Sequence, residues 1–295
     1  MQTVPAKTIV TRNKSTAWFG CEYNMNIYRG CCHGCLYCDS RSDCYHIEKF
    51  DTVRAKEDAL RIVRNDLARR VKTGMVATGA MSDPYNPFEK EQKLTRHAME
   101  LLEAYGFGAA IATKSDMIVR DIDILQGIQK TSPVLCKFTI TAADDAMAAK
   151  IEPHAPSSSR RFEAIKALAK AGLFCGVLMM PILPYITDTE KNITEIIKQT
   201  AECGAKFVYP SFGVTMRAGQ REYFLQGLDK AFPGAEYAKQ YRSRFGGQYH
   251  CASPQAKRLW QIFVEACKKA GLLYEMRDIV AGYKQGYERT QLSFL

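Results

Sequence analysis

The sequence predicts an α/β protein built as a partial (β/α)6 TIM-type barrel with a C-terminal helical extension. Three patterns lead there. Short apolar runs recur along the chain, "GMVATGA" (74–80), "FGAAIAT" (107–113), "VLCKFTIT" (134–141), "LFCGVLMM" (173–180) and "AKFVYPS" (205–211). They are too short for helices and end in turn residues, as parallel strands buried on both faces do. Between the runs, segments 52–71, 92–105, 117–129, 158–171 and 188–202 carry apolar residues at three and four spacing. These read as helices, and Gly106, Gly172 and Gly204 stand where a helix stops. With "AWFGCEYNMNIY" (17–28) as the first strand, about six βα units result, more than a small open sheet needs. In a β/α barrel the active site lies on the loops that leave the strand C-termini.

The expected organisation is a barrel over 1–215, a basic, aromatic-rich and mainly helical extension over 216–288, and a tail over 289–295. At 295 residues the chain is long enough for one large core. Its 11 cysteines are odd in number and scattered, which argues against a secreted disulfide framework and for a reduced cytosol. The N-terminal "MQTVPAKTIVTRNK" has no apolar leader core, and no run reaches about 18 apolar residues. The expectation is a soluble cytoplasmic protein with no membrane partner.

The net charge of +10 is concentrated towards the C-terminus. From Arg217 to Arg289 there are 13 Lys or Arg against 7 Asp or Glu, so 13 − 7 = +6 lies in that stretch. "YAKQYRSRFGGQY" interleaves Tyr237, Tyr241, Phe245 and Tyr249 with Lys239, Arg242 and Arg244. That mixture suits phosphate contact with base stacking, and it equally suits a solvated basic face.

The loop after the first strand reads "YRGCCHGCLYCDSRSDCYH" (28–46). Cys31, Cys35 and Cys38 bring three thiols onto one short turn, and Gly30 and Gly34 let the backbone wrap closely. A closed structural zinc site wants four ligands, and a saturated [4Fe-4S] cluster wants four cysteines. Three thiolates leave one iron open for chemistry. Cys32 is poorly placed to join its neighbour's centre, and Cys44 joins only if the loop folds back. Cys136 and Cys175 lie inside apolar strands and read as core.

The Cys-x3-Cys-x-Tyr-Cys arrangement, with Tyr37, resembles the signature of the radical S-adenosylmethionine (SAM) superfamily. "SDPYNPFEKEQKLTRHAMELL" (82–102), "IATKSDMIVRDIDIL" (111–125) and "TAADDAMAAKIEPHAPSSSRRFEAIKALAKAGLFCGVLMMPILPYITD" (141–188) resemble successive blocks of its spore photoproduct lyase-like branch, sometimes labelled DNA repair photolyases. The resemblance spans roughly residues 24–210, and it implies a [4Fe-4S] cluster on Cys31, Cys35 and Cys38 with SAM on the open iron. It further implies Tyr37 beside the adenine and backbone at Thr78, Gly79 and Ala80 near the methionyl amine. Ser82, Lys114, Thr139 and Arg161 complete the implied polar shell, with Lys114 on the SAM carboxylate. A flavodoxin- or ferredoxin-like electron donor and a DNA substrate come with it. The bland alternatives are a stacked aromatic for Tyr37, a rim lysine for Lys114, a helix ion pair for Arg161 and helix-start acids for Asp83 and Glu89.

One position departs from the branch. In spore photoproduct lyases a cysteine just past the second strand, three residues before the Asp of a Ser-Asp pair, returns hydrogen to the product. Here the pair is Ser82 and Asp83, and the position holds Ala80. A peptide or small metabolite therefore stays open as substrate, as does a zinc-stabilised nucleic-acid-binding module. The last five residues, "QLSFL", resemble a short peptide that docks on bacterial β sliding clamps, through Gln291, Leu292, Phe294 and Leu295. Packing of that tail on the barrel is the alternative.

Overall fold

The computed structural model describes residues 1–70 and 72–287. The clamp-like tail therefore lies outside the described residues.

The chain opens with β1 (Thr3–Val4), β2 (Val10–Arg12), β3 (Tyr23–Met25), β4 (Tyr28–Arg29), β5 (Arg54–Lys56) and α1 (Ala59–Ala68). There follow β6 (Met75–Thr78), α2 (Glu89–Gln92), α3 (Leu94–Ala104), β7 (Gly108–Thr113), α4 (Ile122–Gln129) and β8 (Val134–Thr139). Next are α5 (Asp145–Ile151), α6 (Ser158–Lys170), β9 (Cys175–Met179), α7 (Glu190–Glu202) and β10 (Phe207–Pro210). The last third comprises β11 (Gly213–Thr215), α8 (Gln220–Ala231), α9 (Tyr237–Phe245), β12 (His250–Ala252), α10 (Ala256–Ala270) and α11 (Met276–Lys284).

The main sheet has the order β10-β9-β8-β7-β6-β3-β2. Its six strands from β3 to β10 are parallel, and only β2 joins antiparallel. This is the partial (β/α)6 barrel that the alternation predicts, and among the described residues it does not close. The free edge of β10 is covered by main chain, with Val208 N donating to Leu273 O and Leu273 N to Lys206 O, at 2.9 and 3.0 Å.

Strand periodicity explains the two faces. Ile111, Cys136, Phe138, Val177 and Met179 point outward into the helix-covered core. Ala110, Leu135, Leu178 and Phe207 point inward, where they meet Phe19, Met75 and Tyr283 in a plug at the barrel floor. Gly176 makes room for that plug, because a Cβ there would stand 2.4 Å from the Phe207 ring. Cys136 and Cys175 are fully buried, as their apolar context predicts.

Two predicted elements differ at their starts. Within 17–28 only 23–25 joins the main sheet; Phe19 and Gly20 take positive φ of 50° and 61°, and the turn drives the Phe19 ring into the plug. Within 52–71 the helix begins at Ala59, because 54–56 alternates in burial and pairs as β5 with β1 and β4. Helices α5, α6 and α7 start on side-chain caps: Asp144 accepts from Met147 N, Ser157 from Arg160 N and Thr189 from Asn192 N.

Residues 216–287 pack on the barrel as well. α8 and α9 form a second apolar cluster with Cys35, Leu36 and Tyr37 of the cysteine loop. α10 adds Leu259, Phe263 and Cys267 to the main core, and α11 adds Ile279 and Tyr283 to the plug.

Candidate active site

The cysteine loop leaves β4 and is pinned by main-chain bonds. Cys31 N donates to Phe50 O at 2.8 Å, Leu36 N to Ile151 O at 2.9 Å, and His154 N to His33 O at 3.1 Å. Gly30 has φ of +82°, and a Cβ there would come within 2.4 Å of Thr52 O, so this wrap requires glycine. Arg41 clamps the far end: its guanidinium lies 3.7 Å from the Tyr223 ring centroid and 4.7 Å from that of Phe50, and it pairs with Asp51.

Cys31, Cys35 and Cys38 line one small cavity of about 110 Å³, together with His33, Tyr37, Ser40, Gly79–Asp83, Ala112–Lys114 and Thr139. Neither Cys32 nor Cys44 borders it. Cys32 packs against the main core, and the exposed Cys44 accepts a 3.6 Å contact from Arg217 Nη1. Burial and then the Asp83 charge push the Cys31 thiol up to about 12. Burial likewise raises Cys35 and Cys38, with the Lys114 ammonium opposing. Thiolates here need a cation beside them.

The tips of β6 and β7 form the opposite wall. Gly79 has φ of +94°, and a Cβ would meet Ala112 O at 1.8 Å, so the two strand ends touch only because residue 79 has no side chain. Asp83 braces them: its carboxylate accepts from Thr113 Oγ1 at 2.6 Å, Lys114 N at 2.7 Å and Tyr85 N at 2.9 Å, and lies 3.6 Å from His33 Nδ1. The helix-start reading of Asp83 is thus corrected, because no helix begins there. Glu89 does open α2, but its carboxylate accepts from Tyr28 and from Thr95 N and pairs with Arg120, so it ties three elements together. Ser82 Oγ donates to Tyr28 O at 3.2 Å. Gly79 and Ala80 line this cavity, and Thr78 borders only the larger one that adjoins it, all three at the C-terminal end of β6.

Behind the loop runs a buried polar chain. The Tyr37 hydroxyl donates to Glu152, whose other oxygen lies 2.6 Å from Arg161 Nη2. Arg161 is fully buried, and it donates to Thr139 O and Pro156 O, both at 2.9 Å. Burial opposes the Glu152 carboxylate, but Arg161 and Lys114 outweigh it and hold its pKa below the usual range. Burial also opposes the charge on Lys114, and Cys35 and Glu152 more than offset it, so the ammonium is held above its usual value. Lys114 Nζ lies 5.5 Å from the Tyr37 ring centroid.

Tyr37, Lys114 and Thr139 also border a larger adjoining cavity of about 760 Å³, which the concave sheet face, Trp18, the cis Met180–Pro181 segment and the β11–β12 hairpin enclose. Its volume follows from small inward residues, Ala77 and Ala112. Arg161 borders neither cavity; it fixes Glu152 and the β8 tip from behind. The interleaved aromatics of 237–249 divide: Tyr241 and Phe245 are buried, with Tyr241 donating to Pro184 O at 3.1 Å. The stacking expectation fails for these two, because their α9 positions face the second core, while Tyr249 remains 51% exposed beside His250 at the cavity edge.

The sequence does not single out Glu152, His33 or Lys137, and for Asp83 it offers only the Ser-Asp pair or a helix-start acid. A lysine inside the apolar run "VLCKFTIT" was the visible signal for Lys137, which is buried and borders the larger cavity.

The comparisons agree with this geometry. The family model of the radical SAM superfamily matches residues 25–197. An uncharacterized protein of Mycobacterium tuberculosis (strain ATCC 25618 / H37Rv) is 29% identical over 249 residues, 82% of this chain and 72% of that one. Another, from Methanocaldococcus jannaschii, is 32% identical over 179 residues, 60% of this chain and 66% of that one. Among solved structures, spore photoproduct lyase complexed with dinucleoside spore photoproduct superposes with a TM-score of 0.65 at 16% identity, over 92% of this chain and 80% of that one, a likeness of fold. An open parallel barrel with a three-cysteine loop at its mouth and a matching family model over more than half its length places this chain in the radical SAM superfamily, whose enzymes work with a [4Fe-4S] cluster and SAM.

Proposed function

We propose that the protein is a radical SAM enzyme that abstracts hydrogen from a nucleic-acid substrate, with Cys31, Cys35 and Cys38 holding the cluster. The observation that carries the reading is the small cavity walled by those three thiols, Gly79 and Lys114. Three thiolates on a [4Fe-4S] cubane leave its fourth iron open, and the same cavity wall carries Lys114 and the Gly79–Ala80 main chain, groups that suit SAM at that open position.

When bound, the cluster supplies the electron that splits SAM into methionine and a 5′-deoxyadenosyl radical. The chain's own residues prepare the place. Lys114 offers an ammonium to the SAM carboxylate, the Gly79–Ala80 main chain meets the amine, and Tyr37 presents a ring fixed through its hydroxyl to Glu152. Thr139 borders both cavities, with its carbonyl held by Arg161, and Ser82 closes the wall beside Ala80. An external electron donor of flavodoxin or ferredoxin type is required.

Three features support a nucleic-acid substrate: the net charge of +10, the exposed Trp18 bordering the larger cavity with the exposed Tyr249 next in sequence to the cavity residue His250, and the fold shared with an enzyme solved with a dinucleoside photoproduct. Ala80 withholds the hydrogen donor of that branch, so the lesion or the donor differs. We assign 1–215 to the barrel, 216–288 to the extension and 289–295 to a clamp-docking tail. Truncation after Thr290 then removes clamp binding and spares SAM cleavage. All 11 cysteines are free, which supports a cytoplasmic setting. Among the described residues no helix is long and apolar enough to cross a membrane.

The test is an anaerobic assay of 5′-deoxyadenosine release with ultraviolet-damaged DNA, intact DNA, RNA, peptide or small-metabolite pools. Stimulation by a nucleic-acid pool is expected. Stimulation confined to the peptide or metabolite pool overturns the substrate reading while leaving the radical chemistry in place.

A further inference from the structure

We propose that Lys137 is the recognition point for an anionic oxygen group of the substrate, a carboxylate or phosphate, on the inner face of the barrel. The inference deepens the radical SAM reading above and rests on it; a phosphate response agrees with the nucleic-acid substrate, and a carboxylate response counts against it. Lys137 lies in β8 and is only 2% exposed. Its register partners are Ala112 on β7 and Gly176 on β9, so small residues flank it on the concave face. The side chain lines the larger cavity, with Nζ 4.7 Å from the Phe19 ring centroid.

No described carboxylate pairs with this ammonium. The larger cavity is bordered by three lysines, Lys14, Lys114 and Lys137, and by one acid, Asp39, whose Oδ1 lies 3.1 Å from Arg217 Nε. Burial pulls the pKa of Lys137 down, and only the neighbouring Cys21 and Cys136 thiols push it back. Burial with no described carboxylate beside it disfavours the ammonium form, and a methionine would fill the same space without that cost. A ligand that brings the missing negative partner offsets it.

The two deep lysines divide the site. Lys114 borders both the cysteine-lined cavity and the larger one, whereas Lys137 borders the larger one alone. Lys114 therefore serves the cofactor half and Lys137 the substrate half. With the Phe19 ring on one side, the ammonium keeps donors free for an oxyanion in the cavity, and as a compact point charge it accepts either carboxylate or phosphate oxygen.

Equilibrium dialysis of the reconstituted holoenzyme, with SAM saturating so that Lys114 is occupied, tests this. The probes are labelled inorganic pyrophosphate, labelled glutarate and, as a neutral control, thymidine. Wild-type protein is expected to bind one of the anions, and the arm that responds identifies phosphate or carboxylate. Lys137→Met is expected to weaken that binding tenfold or more with SAM binding and uncoupled SAM cleavage retained, and Lys137→Arg to restore most of it. Equal anion binding by wild type and Lys137→Met overturns the proposal. So does a Lys137→Met protein that loses SAM binding, since the residue then serves the cofactor, and so does a wild type that cleaves SAM but binds neither anion. A wild type that neither binds SAM nor cleaves it overturns the functional reading itself, and this proposal with it.

Discussion

The Lys114 ammonium lies 5.5 Å from the centroid of the Tyr37 ring, whose hydroxyl is tied to Glu152. One residue of the β7 tip and one of the cysteine loop thus share a buried acid, and the cation is held charged beside the thiols. Lys114→Ala is expected to weaken SAM binding about tenfold to a hundredfold, the worth of a bond between charged groups, with iron content unchanged. Calorimetric titration with SAM measures it. Unchanged affinity returns Lys114 to the role of a rim lysine.

The Glu152–Arg161 pair sits under the same loop, with both side chains about 1% exposed. Removing one partner of such a pair leaves the other charge buried and uncompensated. Glu152→Ala is expected to cost about 3–5 kcal/mol of stability and to loosen Tyr37 along with it. Urea unfolding, with tyrosine fluorescence as a second probe, reports both. A loss under about 1 kcal/mol means that water enters and solvates Arg161.

The strand segments and the placement of the cysteine loop were legible because parallel strands buried on both faces leave a record of short apolar runs, and because a barrel confines its chemistry to one end. Thr78, Gly79, Ala80, Lys114 and Thr139 follow from the family resemblance, and the barrel rule says only that such strand-end positions gather at one mouth. Glu152 and Arg161 lie 115 and 124 positions from Tyr37 along the chain, and nothing local in "KIEPHAPSSSRR" tells which way their side chains turn. The helix-start alternative for Asp83 fails for a related reason: its partners are strand tips that meet only in the folded sheet. Tyr241 and Phe245 looked like a stacking surface because composition does not reveal which face of α9 is buried.

Ala80 lies on the wall shared by the two cavities, at the position that the branch resemblance matches to a hydrogen-donating cysteine. A methyl group offers no weak bond to hydrogen. The wild-type protein is expected not to convert spore photoproduct to two thymines efficiently, as product chromatography of an anaerobic reaction shows. Clean repair by the wild type contradicts the argument from Ala80.

The central claim is that Cys31, Cys35 and Cys38 hold a [4Fe-4S] cluster that cleaves SAM. Its most direct test is Mössbauer spectroscopy with iron analysis of anaerobically reconstituted protein, run beside Cys31→Ala/Cys35→Ala/Cys38→Ala, Cys32→Ala and Cys44→Ala. The account predicts about four irons per chain in one cubane for the wild type and for both single variants, with none in the triple variant. A cluster retained in the triple variant, or one lost with Cys32→Ala or Cys44→Ala alone, contradicts it.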